Sequence, residues 1–304
     1  MKSTRKAYGE FLIELGKKDQ NVIVFDADLA KATFTDMFKH EFPERHFDVG
    51  IAEQDLIGMA SGAAMAGKIV FASTFAMFLC GRAYEQVRNT AGYSHVNINL
   101  CATHTGLAVG EDGPTHQCIE DISLMKGIPG MTVFVPSDEI STKKILTACL
   151  DINGPKYIRL GRNDVETVYD DSNVFEIGKS NTFGDGLDGT IFACGNTLNI
   201  ALKAKESLKS LGKEVRVVDL YSIKPVDKEA IIKSAKETNI LVSIEDHSVI
   251  GGIGSLVADV LCEEYPKKLI KIGVQDKFGK SGNPQKLYEM YGITEEAIIS
   301  KFVK

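Results

Sequence analysis

No apolar run in the 304 residues is long enough to cross a bilayer, and the opening stretch MKSTRKAYGEF lacks the apolar segment of a secretory leader. No basic cluster stands out either: 35 Lys and Arg against 41 Asp and Glu leave a formal net charge of −6. Nucleic acid and anionic membrane surfaces are therefore not expected partners. The six cysteines (80, 101, 118, 149, 194 and 262) include no C-x-x-C pair, and no histidine stands at metal-ligand spacing. This argues against a structural metal site and a disulfide framework, and for buried free thiols in a reducing cytoplasm. No metal ligand is assigned to this chain. Disorder is not indicated, because the apolar share of 44% and charged share of 25% are those of a globular protein. The length suffices for two domains, each with its own core.

Strands and helices alternate through the first half. Tyr8, Phe11, Leu12 and Leu15 form a helical stripe, and strands are predicted at 21–28, 68–74, 97–104, 131–137 and 156–162. Helices are predicted near 53–66, 75–92, 118–127 and 138–150. The strands are continuous apolar runs, which suits a largely parallel sheet covered on both faces. Residues 163–188 are polar and rich in Gly and Asp, and read as a linker holding at most a short strand pair. A second unit follows, with strands at 189–195, 214–220, 239–246 and 267–274. Its helices fall at 197–211, 227–238, 252–265 and after 284. The fold class is α/β, with two doubly wound, largely parallel-sheet domains spanning 1–184 (linker included) and 185–304.

Three stretches carry chemistry. Glu53 stands at a helix start in HFDVGIAEQDLIGMASGAAMAG (46–67), where Gly58, Gly62 and Gly67 permit close packing. A lone acid at that position often only complements the helix dipole. Phe75 and Phe78 form an aromatic pair one turn apart after a strand. The loop THTGLAVGEDGPTHQ (103–117) then gathers His104, Glu111, Asp112 and His116 among glycines and a proline, the composition of an active-site loop rather than a bland surface turn.

The strings G-I-A-E-Q, S-T-F-x-x-F, T-H-x-x-x-x-x-G-E-D-G-P-T-H-Q and I-P-G-M-T-V-F-V-P resemble, in order, the pyrimidine-binding domain of the transketolase family. E-D-H-x-x-x-G-G-I-G-S and G-K-S-G-N-P-Q-K-L-Y-E-M-Y-G-I-T resemble its C-terminal domain, so the likeness covers essentially the whole chain. It implies thiamine diphosphate as cofactor. In that family the Glu corresponding to Glu53 bonds N1′ of the aminopyrimidine, favouring the tautomer that activates the thiazolium carbon. Phe75 and Phe78 would stack on the pyrimidine, and Asp28 would approach the cofactor. The resemblance makes Glu53, His104 and His116 catalytic, with both histidines near the sugar's reacting carbonyl and hydroxyls. Asp112 would read the C2 hydroxyl, while Arg5 and Arg162 would grip the sugar phosphate, a task suited to a guanidinium fork.

Two departures stand out. Gly81 occupies the place of a third aromatic, leaving the wall open or filled by a neighbour such as Tyr84, and Ala32 replaces a serine. The family's G-D-G motif for metal and diphosphate is missing, since Gly184-Asp185-Gly186 lies in the linker and reads as a turn. Gly251, Gly252 and Gly254 open a helix and could form an anion nest, but they read rather as close packing at a subunit interface. The expectation is thus the C-terminal half of a two-chain transketolase. Its partner, an N-terminal-half subunit, would supply the diphosphate site with Mg²⁺ or Ca²⁺. Self-association to a dimer or heterotetramer and sugar-phosphate substrates complete it. Alternatives are an enzyme for an unusual branched or sulfonated sugar, a 1-deoxyxylulose-5-phosphate synthase-like enzyme, and a non-catalytic paralogue. The β subunit of 2-oxoacid dehydrogenases shares the plan but lacks the G-E-D-G-P-T-H-Q string.

Overall fold

The computed structural model describes residues 1–303. Its twelve strands, in chain order, are β1 (Val22–Asp26), β2 (His46–Asp48), β3 (Ile69–Phe75), β4 (Ile98–Thr103), β5 (Thr132–Phe134), β6 (Lys156–Arg159), β7 (Asn181–Phe183), β8 (Gly189–Ala193), β9 (Val215–Asp219), β10 (Ser222–Lys224), β11 (Ile240–Ser248) and β12 (Leu269–Val274). They form a seven-stranded sheet ordered β10-β5-β6-β4-β3-β1-β2 and a five-stranded sheet ordered β12-β11-β8-β9-β7. Each sheet is parallel except for one antiparallel edge strand, β10 on β5 and β7 on β9. Buried apolar runs such as VIVFD and INLCAT make the central strands, because helices cover both faces.

The expected strands and helices appear, with three informative differences. β2 and β10 are three residues long and too short to show periodicity. β10 also crosses between units: it follows β9 of the second sheet yet completes the edge of the first. β7 lies inside the segment read as linker, but it belongs to the second sheet. The predicted helix at 75–92 is instead two wide π-type turns, Phe78–Arg82 and Val87–Tyr93, flanking one short α turn at Tyr84–Gln86. Such widened turns concentrate at functional sites.

The linker is pinned rather than loose. Tyr169 and Phe175 pack edge to face at 4.8 Å, and Phe175 meets Tyr221 at 4.9 Å. The Tyr169 hydroxyl donates to Asp219 at 2.6 Å, and burial pushes that carboxyl up to about 7. Asp138 caps the helix Glu139–Cys149 by accepting the Ser141 N–H at 2.8 Å, in a capping box. Its other oxygen accepts the Val168 and Tyr169 N–H groups at 2.8 and 2.9 Å, tying the linker to the first unit. Asp138→Ala removes the cap and strands two amides. It is expected to lower unfolding free energy by about 2–4 kcal/mol in urea titration; a change under about 0.5 kcal/mol would contradict the double role.

Candidate active site

All strands of the first sheet except β10 run the same way, so their carboxyl ends meet at one edge. Asp28 follows β1, Glu53 follows β2, Phe75 closes β3, His104 follows β4, and Arg162 follows β6. The edge of an open parallel sheet beyond its strand ends is where such folds place ligand sites. Backbone strain collects here too. His104 and Asp28 hold φ of +56° and +58°, the left-handed region that side chains with a Cβ occupy at a cost.

Glu53 is the first residue of the helix Glu53–Met65 and is 1% exposed. Its Oε2 accepts a hydrogen bond from Arg82 Nη1 at 2.8 Å. The Arg82 side chain is 50% exposed, and its guanidinium lies 4.9 Å above the Phe78 ring. Phe75 and Phe78 lie near-parallel, 12° apart at 5.9 Å, as one aromatic wall. The position of the missing third aromatic is occupied by Met77, whose Cε would lie 2.5 Å from a Cβ on Gly81. Tyr84 does not fill it, because its hydroxyl turns away to donate to the Leu124 carbonyl at 3.3 Å. A buried carboxyl beside flat aromatic faces suits a planar heterocycle with a ring nitrogen, so these residues fit an aminopyrimidine.

His104 stacks on Phe75 at 3.8 Å, and its Nδ1 meets the Thr103 hydroxyl at 3.0 Å, leaving Nε2 for a ligand. Burial, with Arg5, Arg162 and His116 nearby, pushes its pKa down to about 3, so the ring is neutral at physiological pH. His116 sets its ring edge against Phe78 at 5.3 Å and Phe75 at 6.3 Å, and its Nδ1 meets Thr115 Oγ1 at 2.9 Å. Arg162 lies 3.5 Å from Asp112 and 3.6 Å from Glu111. Arg5 donates to the carbonyls of Arg162 and Ala32 at 2.9 and 2.6 Å.

The sequence-selected residues are thus gathered at one edge, with Asp28 the least engaged. Its side chain is exposed and bonds no other site residue among the described residues, while its N–H donates to Asp48 at 2.9 Å. Arg82 was not singled out. The only signal was a cation beside Gly81 in an aromatic run, and the π-type turn that aims it breaks helical spacing. Gly184–Gly186 is a linker turn, with Arg216 donating to the Asp185 and Gly186 carbonyls at 3.2 and 3.0 Å. The Gly251–Gly254 stretch needs correction. Its close packing is inside the chain, where Glu245, whose carboxyl burial pushes up to about 7, accepts the Ile253 and Gly254 N–H groups at 2.7 and 3.1 Å and fills the helix start. A Cβ on Gly251 would lie 2.3 Å from Ser123 Oγ. Among the described residues no cluster of three or more His, Cys, Asp or Glu could hold a metal ion. No helix among the described residues is long and apolar enough to cross a membrane.

Residues 1–167 match the family described as transketolase, pyrimidine binding domain, and residues 178–298 match transketolase, C-terminal domain. The chain belongs to the transketolase family. A putative transketolase C-terminal section of Methanocaldococcus jannaschii is 47% identical, covering 100% of this chain and 96% of its own length. An apulose-4-phosphate transketolase subunit of Phocaeicola vulgatus is 36% identical over 100% of this chain and 98% of its own. Among solved structures, a split-gene transketolase described as an inactive β4 tetramer superposes with a TM-score of 0.92 at 46% identity, covering 99% of this chain and 97% of that one. The transketolase fold therefore extends over the whole chain.

The neutral state of His104 is directly testable. An unfolded histidine titrates near 6.5. Burying it neutral adds stability that is present above that value and is lost as pH falls toward about 3. Nitrogen-15 NMR is expected to show His104 uncharged from about pH 8 to about pH 4.5; an inflection near 6.5 would contradict the assignment.

Proposed function

We propose that this chain is the pyrimidine-side subunit of a two-chain transketolase, active with an N-terminal-half partner that holds the cofactor's diphosphate and its Mg²⁺ or Ca²⁺. The observation that carries this reading is Glu53, buried at a helix start and bonded to the Arg82 that lies over Phe78 of the Phe75–Phe78 wall. Thiamine diphosphate, when bound, supplies the electron sink that lets a ketose-phosphate C2–C3 bond break and a two-carbon ketol unit pass to an aldose phosphate. Glu53 holds N1′ of the pyrimidine, and the half-exposed Arg82 has room to swing off the carboxyl as the ring enters. Phe75 and Phe78 fix the ring plane. His104, neutral and braced by Thr103, donates a hydrogen bond to the sugar at its reacting oxygen, with His116 beside it. Asp112 reads the C2 hydroxyl. Arg162 and Arg5 meet the phosphate, although Arg5 already spends two donors on backbone carbonyls. Asp28 marks the cofactor side of the same edge.

The helix that begins at Glu53 supports a partner. Its outer face leaves Met59, Met65 and the preceding Ile51 exposed, the last two by 72% and 75%. Gly58 and Gly62 on that face have nothing within 4 Å of a built Cβ, so another backbone can approach closely. The P. vulgatus relative is one subunit of its enzyme, and the solved neighbour is a split-gene protein described as an inactive tetramer. Both fit a chain that self-associates alone and works in a heterotetramer; the cytoplasm as its location and pentose phosphates as its sugars are part of the proposal. A second reading, favoured by the apulose-4-phosphate relative, keeps the chemistry and changes the sugar.

Glu53→Gln in the reconstituted pair is expected to lower kcat about 10²–10⁴-fold, as loss of a positioned acid does; near-wild-type turnover would sink the role. Arg162→Ala should raise KM for phosphorylated sugars at least about tenfold, the worth of a charged hydrogen bond. It should spare unphosphorylated ones, and equal effects on both would remove the phosphate contact. Asp112→Ala should relax discrimination at the C2 hydroxyl with cofactor affinity unchanged.

A further inference from the structure

The loop bearing His104 and His116 is held from outside its own domain. Asp246, near the end of β11 in the second sheet, is buried and reaches across to it. Its Oδ1 accepts the Leu107 N–H at 2.8 Å, three residues from His104. Its Oδ2 accepts the Tyr288 hydroxyl at 2.8 Å from the helix Pro284–Tyr291. Below, Arg159 donates to the Asp246 carbonyl at 2.9 Å and to Asp121 at 2.7 Å, and the Tyr157 hydroxyl shares that Asp121 oxygen at 2.8 Å. The E-D-H string is therefore the upper end of a buried polar chain joining both sheets.

Fit at this contact is tight. Gly106 has φ +69°, and a Cβ there would lie 2.3 Å from Asp246 Oδ2 and 2.6 Å from its carbonyl oxygen, so any other residue meets both strain and collision. The far limb of the loop is held from the same side. Gln117 Nε2 donates to the Lys280 carbonyl at 2.9 Å, the Ser281 hydroxyl donates to the Glu111 carbonyl, and the Ser248 N–H donates to the Ile119 carbonyl at 2.7 Å. None of these contacts touches Glu53, Phe75 or Phe78. The second domain thus holds the backbone of the loop that carries His104 and His116, while Glu53, Phe75 and Phe78 stand on elements of the first.

We propose that Asp246 is a positioning residue: by accepting the Leu107 N–H and excluding any side chain at 106, it fixes the backbone from which His104 and His116 reach the sugar. The assignment of those histidines to a sugar rests on the transketolase reading; the anchoring of the loop does not. A displacement of about 1 Å at reacting groups costs about 100-fold in rate, so a backbone anchor at this distance from the reaction has leverage.

The test has two arms. In the chain alone, amide hydrogen exchange is followed for Asp246→Ala, Asp246→Asn and Tyr288→Phe. In the reconstituted pair, KM and kcat are read with xylulose 5-phosphate and ribose 5-phosphate, and cofactor affinity by calorimetry with thiamine diphosphate and Mg²⁺. Asp246→Ala is expected to speed exchange at residues 106–108 about tenfold or more while β8 and β9 stay protected, the loss expected for one charge-assisted hydrogen bond. In the pair it should lower kcat/KM about 10- to 100-fold with cofactor affinity unchanged. Asp246→Asn keeps an acceptor for the Leu107 N–H and should restore most of both. Unmoved exchange at 106–108, or protection lost evenly across the second domain with cofactor affinity falling alongside, would overturn the proposal. If Asp246→Ala does not fold, Tyr288→Phe decides: faster exchange at 106–108 supports the anchor, and wild-type exchange overturns it. A pair inactive as wild type leaves the anchoring to the exchange arm and counts against the transketolase reading alone.

Discussion

Parallel pairing is the constraint on which the site depends. Because β1, β2, β3, β4 and β6 all run the same way, five strand ends deliver Asp28, Glu53, Phe75, His104 and Arg162 to one edge from positions as far apart as 28 and 162. Each stands at or just beyond the end of a rigid strand, so the loop after one strand can vary without moving its neighbours. The helix beginning at Glu53 buries the acid while turning an open glycine and methionine face outward. A buried acid and an exposed apolar face are thereby parts of one element.

The second domain is more than an appendage to that edge. β10 completes the first sheet, the linker is tied to both units by Asp138 and Asp219, and one apolar cluster runs from Tyr8 through Leu160 to Tyr288. Burial raises the carboxyl of Asp246 above its usual range, opposed by Arg159 and by the Leu107 and Tyr288 hydrogen bonds. Breaking one member of such a network strands the others, which couples the loop of the first domain to the core of the second.

Much of this was legible because the informative residues lie in continuous strings. G-I-A-E-Q pointed to Glu53, and T-H-x-x-x-x-x-G-E-D-G-P-T-H-Q to His104, Asp112 and His116, and these strings follow successive strands whose ends share one edge. The apolar runs gave the central strands because both sheet faces are covered. What escaped was tertiary. Arg82 reaches Glu53 only because a π-type turn departs from the 3.6-residue period assumed for 75–92. Tyr84, the neighbour expected to fill the wall, instead donates its hydroxyl to the Leu124 carbonyl, a partner 40 residues away. Gly251–Gly254 suggested an acceptor at a helix start, but that the acceptor is the Glu245 carboxyl of the same chain depends on how β11 and its following helix pack. Asp246 was visible as part of E-D-H, yet its partner Leu107 lies 139 residues away.

The central claim is that this chain is half of a transketolase, and mixing tests it most directly. The chain is assayed alone, and then with an N-terminal-half transketolase subunit, thiamine diphosphate and Mg²⁺, for ketol transfer from xylulose 5-phosphate to ribose 5-phosphate. Turnover in the mixture and none in the chain alone is the expected result. Turnover by the chain alone, or a mixture that neither turns over nor binds the cofactor, would contradict it.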